Sequence, residues 1–83
     1  MLGRKIVAEV HNAKAFAARL RSCMDDMGAP AQLRERATLL SKILDIPKHE
    51  ANALLEGREF PAPELLEQIA NEFEVDTKWL SGN

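Results

Sequence analysis

Four clusters of helix-breaking residues cut this 83-residue chain at regular intervals, and they limit it to short helices packed on one another. The breaks are Gly28-Ala29-Pro30, Asp45-Ile46-Pro47, Gly57 through Pro63, and Glu74-Val75-Asp76. Proline disfavours helical geometry in the residue before it, and glycine suits the left-handed position that ends many helices. Between the breaks the residues are those that helices favour. The chain is 46% hydrophobic and rich in Leu and Ala, with Val, Ile and Thr sparse, which argues against a sheet protein. At this length the expectation is one all-α domain of five helices, with a small and efficient core.

Apolar spacing fills in the stretches. Phe16, Leu20, Cys23, Met24 and Met27 recur at three and four residues, one face of a first helix for which Asn12 is a plausible N-cap. A second helix starts between Pro30 and Leu33 and lines up Leu33, Ala37, Leu40, Ile43 and Leu44. The third runs from Pro47 to Glu56 and buries Ala51 with Leu54 or Leu55. The fourth starts at Pro63 and buries Leu66, Ile69, Ala70 and Phe73. A final turn or two after Asp76, its expected cap, sets Trp79 and Leu80 against the core. Cys23 reads as a buried small hydrophobe, and the Met24–Met27 pair as core or a dimer face.

Residues 1–11 allow two readings. Lys5 to Val10 can form an extended arm or short strand, with residues 12–83 as the folded domain. Alternatively, Ile6, Val10, Ala13, Ala17, Leu20, Met24 and Met27 fit a four-three spacing, as if one long helix began near Arg4. The arm reading is preferred because Asn12 offers a helix start, and it carries either a frayed terminus or a dimer contact.

The segment with functional content is LRERATLLSKILDIPKHEANALLEG, residues 33–57. Two short helices meet there at a tight turn, with the small Ala51 just inside the second, as close helix crossing requires. This segment, together with FAARLRSCMDDMG before it and ANEFEVDTKWLSGN after it, resembles the lambda-repressor-like (Cro-type) helix-turn-helix family of bacterial and phage regulators. The resemblance covers Phe16 to Asn83 and implies a sequence-specific, repressor-like transcriptional regulator. Its third helix would lie in the major groove of double-stranded DNA, in a homodimer on a two-fold site. The chain departs from the family pattern in having Asp45 in place of the usual turn glycine. It also has Pro47 at the capping Ser or Thr, and Ala37 at the Gln that anchors the second helix to phosphate.

On that resemblance the base-contact candidates are Lys48, His49, Asn52 and Ala53. Lys48 can donate to guanine, Asn52 can pair bidentately with adenine, and Ala53 can touch a thymine methyl. The phosphate candidates are Arg34, Arg36, Lys42 and Arg58. For Arg34 and Arg36, ion pairing with Glu35 or a neighbouring acid is the stronger expectation. A net charge of −2 argues mildly against nucleic acid. However, residues 1–60 hold ten bases and eight acids, and residues 61–83 hold one base and five acids. The competing reading is an antitoxin- or antirepressor-like module that binds a protein partner on the same fold.

Enzyme chemistry lacks its parts. His11 and His49 stand in separate segments, the single cysteine gives no metal-ligand spacing, and the four glycines form no phosphate loop. No cofactor or metal is expected. The lone cysteine, the absence of an apolar run near 18 residues and the lack of a secretory leader point to a cytoplasmic protein with no membrane partner.

Overall fold

A computed structural model describes the backbone of residues 2–82 and the side chains of residues 12–82. In chain order the helices are α1 (Leu2–Asp26), α2 (Leu33–Leu44), α3 (Lys48–Glu56), α4 (Pro63–Phe73) and α5 (Thr77–Leu80), and no strand occurs among the described residues. Each internal boundary falls at one of the four breaks. At residues 1–11 the arm or strand is not what forms. Helix α1 runs unbroken from Leu2, and Asn12 lies inside it and caps nothing. Residues 4–27 contain neither Gly nor Pro, so nothing interrupts the i to i−4 ladder. The side chains of residues 1–11, the expected dimer contact and His11 among them, lie outside the described residues. With 25 residues α1 is about 37 Å long, close to the molecule's longest dimension of 40 Å.

Four helix ends close in the same way. After α1, Gly28 takes φ +79°, its N–H bonds to the Asp25 carbonyl at 3.0 Å, and the Ala29 N–H bonds to Met24 at 3.0 Å. After α3, Gly57 takes φ +77° and the Arg58 N–H reaches the Ala53 carbonyl at 3.0 Å. Helices α2 and α4 make the same reversal on Asp45 (φ 58°) and Glu74 (φ 56°), with Ile46 bonding back to Ser41 and Val75 to Ala70. This is the Schellman closure, in which a left-handed residue turns the next N–H back onto a terminal carbonyl. Its usual apolar companion is present too, since Ala29, Ile46 and Val75 all pack on the core.

The core joins all five helices. Phe16, Leu20 and Met24 of α1, Leu40 and Leu44 of α2, Leu54 and Leu55 of α3, Ile69 of α4 and Leu80 of α5 are buried together. Helix α3 is the most enclosed, packing against both α2 and α1. Its terminal Gly57 lies so close to α1 that a Cβ added there would sit 3.3 Å from the Lys14 Cα.

Two residues expected on the core face lie outside, and so does Met27, for which the sequence leaves core and a dimer face both open. Trp79 is 40% exposed, Met27 is 50% exposed and Leu33 is also exposed. Helix α5 is a four-residue turn capped by the Asp76 carboxylate, which accepts from the Lys78 N–H. Neighbouring residues on it point about 100° apart, so only one large side chain can enter, and Leu80 does. The Trp79 ring instead carries the Arg19 guanidinium, 5.4 Å from its centroid, while Arg19 also donates to the Trp79 carbonyl. Met27 and Leu33 fall at the margins of α1 and α2, where the helix stripe runs past the packed region.

Gly28 and Gly57 share one backbone conformation but differ in surroundings, since a Cβ on Gly28 would meet nothing within 4 Å. Gly28→Ala is expected to cost about 1–2 kcal/mol for the left-handed backbone alone. Gly57→Ala adds the contact with Lys14 and should cost more. Leu40→Ala, in the centre of the core, is expected to cost about 2–5 kcal/mol. Urea denaturation of the three variants measures the order.

Candidate functional site

The polar surface that could meet a partner is built on α2, the three-residue connection and α3. The connection is short because Asp45 reverses the chain in the left-handed region, which Asp tolerates better than most residues. It is held by the Ser41 hydroxyl donating to the Ile46 carbonyl and by Gln68 of α4 donating to the Leu44 carbonyl at 3.3 Å. Pro47 then sets up the first turn of α3, and its carbonyl accepts from Glu50 and Ala51, each at 3.1 Å. No side chain caps the N-terminus of α3, nor that of α2 at Gln32.

The expected contact residues separate on this frame. Lys48 and His49 are exposed at the first turn of α3, and Arg34 and Lys42 are exposed on α2. Arg58 is exposed but ion-paired with Glu56, Nε to Oε1 2.6 Å. Two candidates on α3 leave the surface. Ala53 is only 3% exposed and cannot touch a base edge. It lies about 200° around the helix from Ala51, and α3 is covered on more than one side, so the face opposite the expected one is also shut. Asn52 is half-buried, and its Oδ1 is buried without a hydrogen-bond partner among the described residues. Bidentate pairing with adenine needs both ends of the amide, so it would require this side chain to leave its site.

Arg36, on α2, is the third candidate to leave. It is 7% exposed, and its guanidinium donates to the Pro30 carbonyl, to the Arg21 carbonyl at 3.2 Å and to the Asp25 carboxylate. The expected ion pair exists, with Asp25 as the partner and not Glu35. Its role is to close the end of α1 and pin the start of α2 against it. Two further arginines act alike: Arg21 donates to the Leu55 carbonyl of α3 at 2.8 Å, and Arg19 to that of Trp79. Sequence reasoning missed these uses because nothing local distinguishes an arginine that meets a helix end from one that meets solvent.

Cys23 is buried on α1 as expected. Burial pushes its thiol up from the ordinary range, and the neighbouring Asp26 carboxylate adds to the shift. Such a thiol stays protonated and unreactive near neutrality. Among the described residues no three His, Cys, Asp or Glu side chains cluster as a metal site would need, and no helix is long and apolar enough to cross a membrane. No protein-family model, no curated protein and no solved structure matches the chain.

Arg36→Ala is expected to destabilise the fold by about 1–3 kcal/mol, the range for losing hydrogen bonds from a charged group to buried acceptors. Arg34→Ala should stay within about 0.5 kcal/mol; thermal unfolding of both compares them. For Cys23 the native pKa is raised, so its contribution to stability is complete below the unfolded thiol's value of about 8.5 and is lost as pH rises through the native one. The alkaline fall in wild-type stability should therefore flatten in Cys23→Ala, as chemical denaturation from pH 7 to 10 will report.

Proposed function

We propose that α2 and α3 act as a helix-turn-helix that sets the N-terminal edge of α3 in the major groove of duplex DNA, making the protein a sequence-specific, repressor-like transcriptional regulator. The observation that carries this reading is the pair Lys48 and His49. Both are exposed at the uncapped first turn of a helix that is braced from behind by α2 and α1. Cationic and hydrogen-bonding side chains there can donate to base edges, and free N–H groups at a helix N-terminus favour a phosphate. Arg34 and Lys42, exposed on α2, supply charge for the flanking backbone. The contact set is accordingly smaller than the family resemblance implies: Lys48 and His49 toward bases, Arg34 and Lys42 toward phosphates. Arg58 can join only by giving up Glu56, and Asn52 only by rotating out.

One such module buries little area, so useful affinity calls for two copies on paired half-sites. Selection of sites from random duplex DNA, followed by fluorescence anisotropy at several salt concentrations, tests the proposal. Lys48→Ala should weaken binding and, if it neutralises a phosphate, reduce the salt slope by about one unit. Ala53→Ser should leave base preference unchanged. Absence of any selected site would end the reading.

The competing function, a protein-interaction module on the same fold, draws support from the same geometry. Ala53 and Arg36 are unavailable to DNA, and the carboxylates Glu50 and Glu56 share α3 with Lys48. Retention on DNA-cellulose at low salt separates the two.

A further inference from the structure

Three helices end at one place. The last turns of α1, α2 and α4 surround an open groove with a cavity volume of about 310 Å³. Its apolar lining is Cys23, Met27, Ile43 and Phe73. Its rim carries Asp26, Glu72 and Glu74, and no basic residue lines it. The three carboxylates are exposed and form no ion pair among the described residues. Each helix C-terminus adds partial negative charge, about half an elementary charge at its end. The groove therefore combines apolar contact area with negative potential from two independent sources, side chains and backbone.

We infer that this groove binds a lipophilic organic cation, a compact apolar body carrying a permanently charged ammonium- or phosphonium-type centre. Charge complementarity identifies the occupant. An anion would meet three carboxylates and three helix C-termini, and a neutral hydrocarbon would leave them uncompensated. A cation places its charge among them and its body on Met27 and Ile43. An aromatic ring such as that of Phe73 attracts a positive centre through its quadrupole. The volume lies at the small end of ligand sites, which suits a ligand of that kind and not an extended chain. Residues 61–83 hold five acids against one base, and two of those acids, Glu72 in the last turn of α4 and Glu74 just after it, rim this groove. The inference stands apart from the DNA reading, since no residue of α3 lines the groove.

The test uses two probes of the same shape and opposite charge, tetraphenylphosphonium and tetraphenylborate, titrated into the whole chain by calorimetry and two-dimensional amide NMR. The phosphonium should bind at least about tenfold more tightly, the scale for several exposed charges acting together. Its amide shifts should centre on residues 23–27, Ile43 and residues 72–74. The triple variant Asp26→Asn, Glu72→Gln, Glu74→Gln changes only exposed side chains, and its fold is checked by its thermal transition. It should lose about tenfold in phosphonium affinity and leave the borate unaffected or improved. Equal binding of the two probes, no phosphonium binding at millimolar concentration, shifts located elsewhere, or full affinity in the folded triple variant would each overturn the assignment.

Discussion

A domain built from short helices has many terminal carbonyls relative to its core, and the structure depends on how those carbonyls are satisfied. Each helix leaves four without internal partners, and a buried acceptor left unpaired costs about as much as a typical point mutation. The chain answers in two ways. Backbone reversals at Gly28, Asp45, Gly57 and Glu74 turn following N–H groups onto the ends of α1 to α4. Side chains from other elements then take further carbonyls: Arg21 at the end of α3, Arg19 on α5, Gln68 at the end of α2. These second bonds are tertiary, so closing a helix and docking it on its neighbour are one event.

Arg36 shows how far that coupling reaches. Its guanidinium meets the chain at Arg21, Asp25 and Pro30, spanning the last turn of α1 and the link that follows. Asp25 would oppose the helix dipole if left alone at that C-terminus, and the paired arginine cancels it. A basic residue that counts toward charge in the sequence is thus withdrawn from any partner. Arg19, Arg21 and Arg58 are engaged as well, so the basic surface is smaller than the composition suggests.

The four breaks and the ranges of α2, α3 and α4 were legible because Gly, Pro and the apolar stripes act locally. The αL residues Asp45 and Glu74 were less so, since only position reveals that a carboxylate residue adopts φ > 0. Residues 1–11 were ambiguous on local grounds, and continuity of the ladder decided for helix. Trp79 and Ala53 could not be placed by type. Trp79 lost the inward slot of a four-residue helix to Leu80, and Ala53 went inward because α3 is enclosed by two helices while a periodic pattern describes one face. Of the eight expected contact residues, five are exposed: Arg34, Lys48 and His49 at helix starts, Lys42 in the last turn of α2 and Arg58 just past the end of α3. Those whose fate turned on tertiary packing, Arg36, Asn52 and Ala53, were beyond the reach of spacing.

Along α3 the labour is divided by position. Residues 51–55 are buried or half-buried, so a change there disturbs the architecture first. Lys48 and His49 are exposed at the first turn, and the two positions can therefore be rewritten at little cost to folding. Under the proposed reading, the preference of this helix can drift through a lineage while the scaffold beneath stays constant, because selection can act on the first turn without passing through the core.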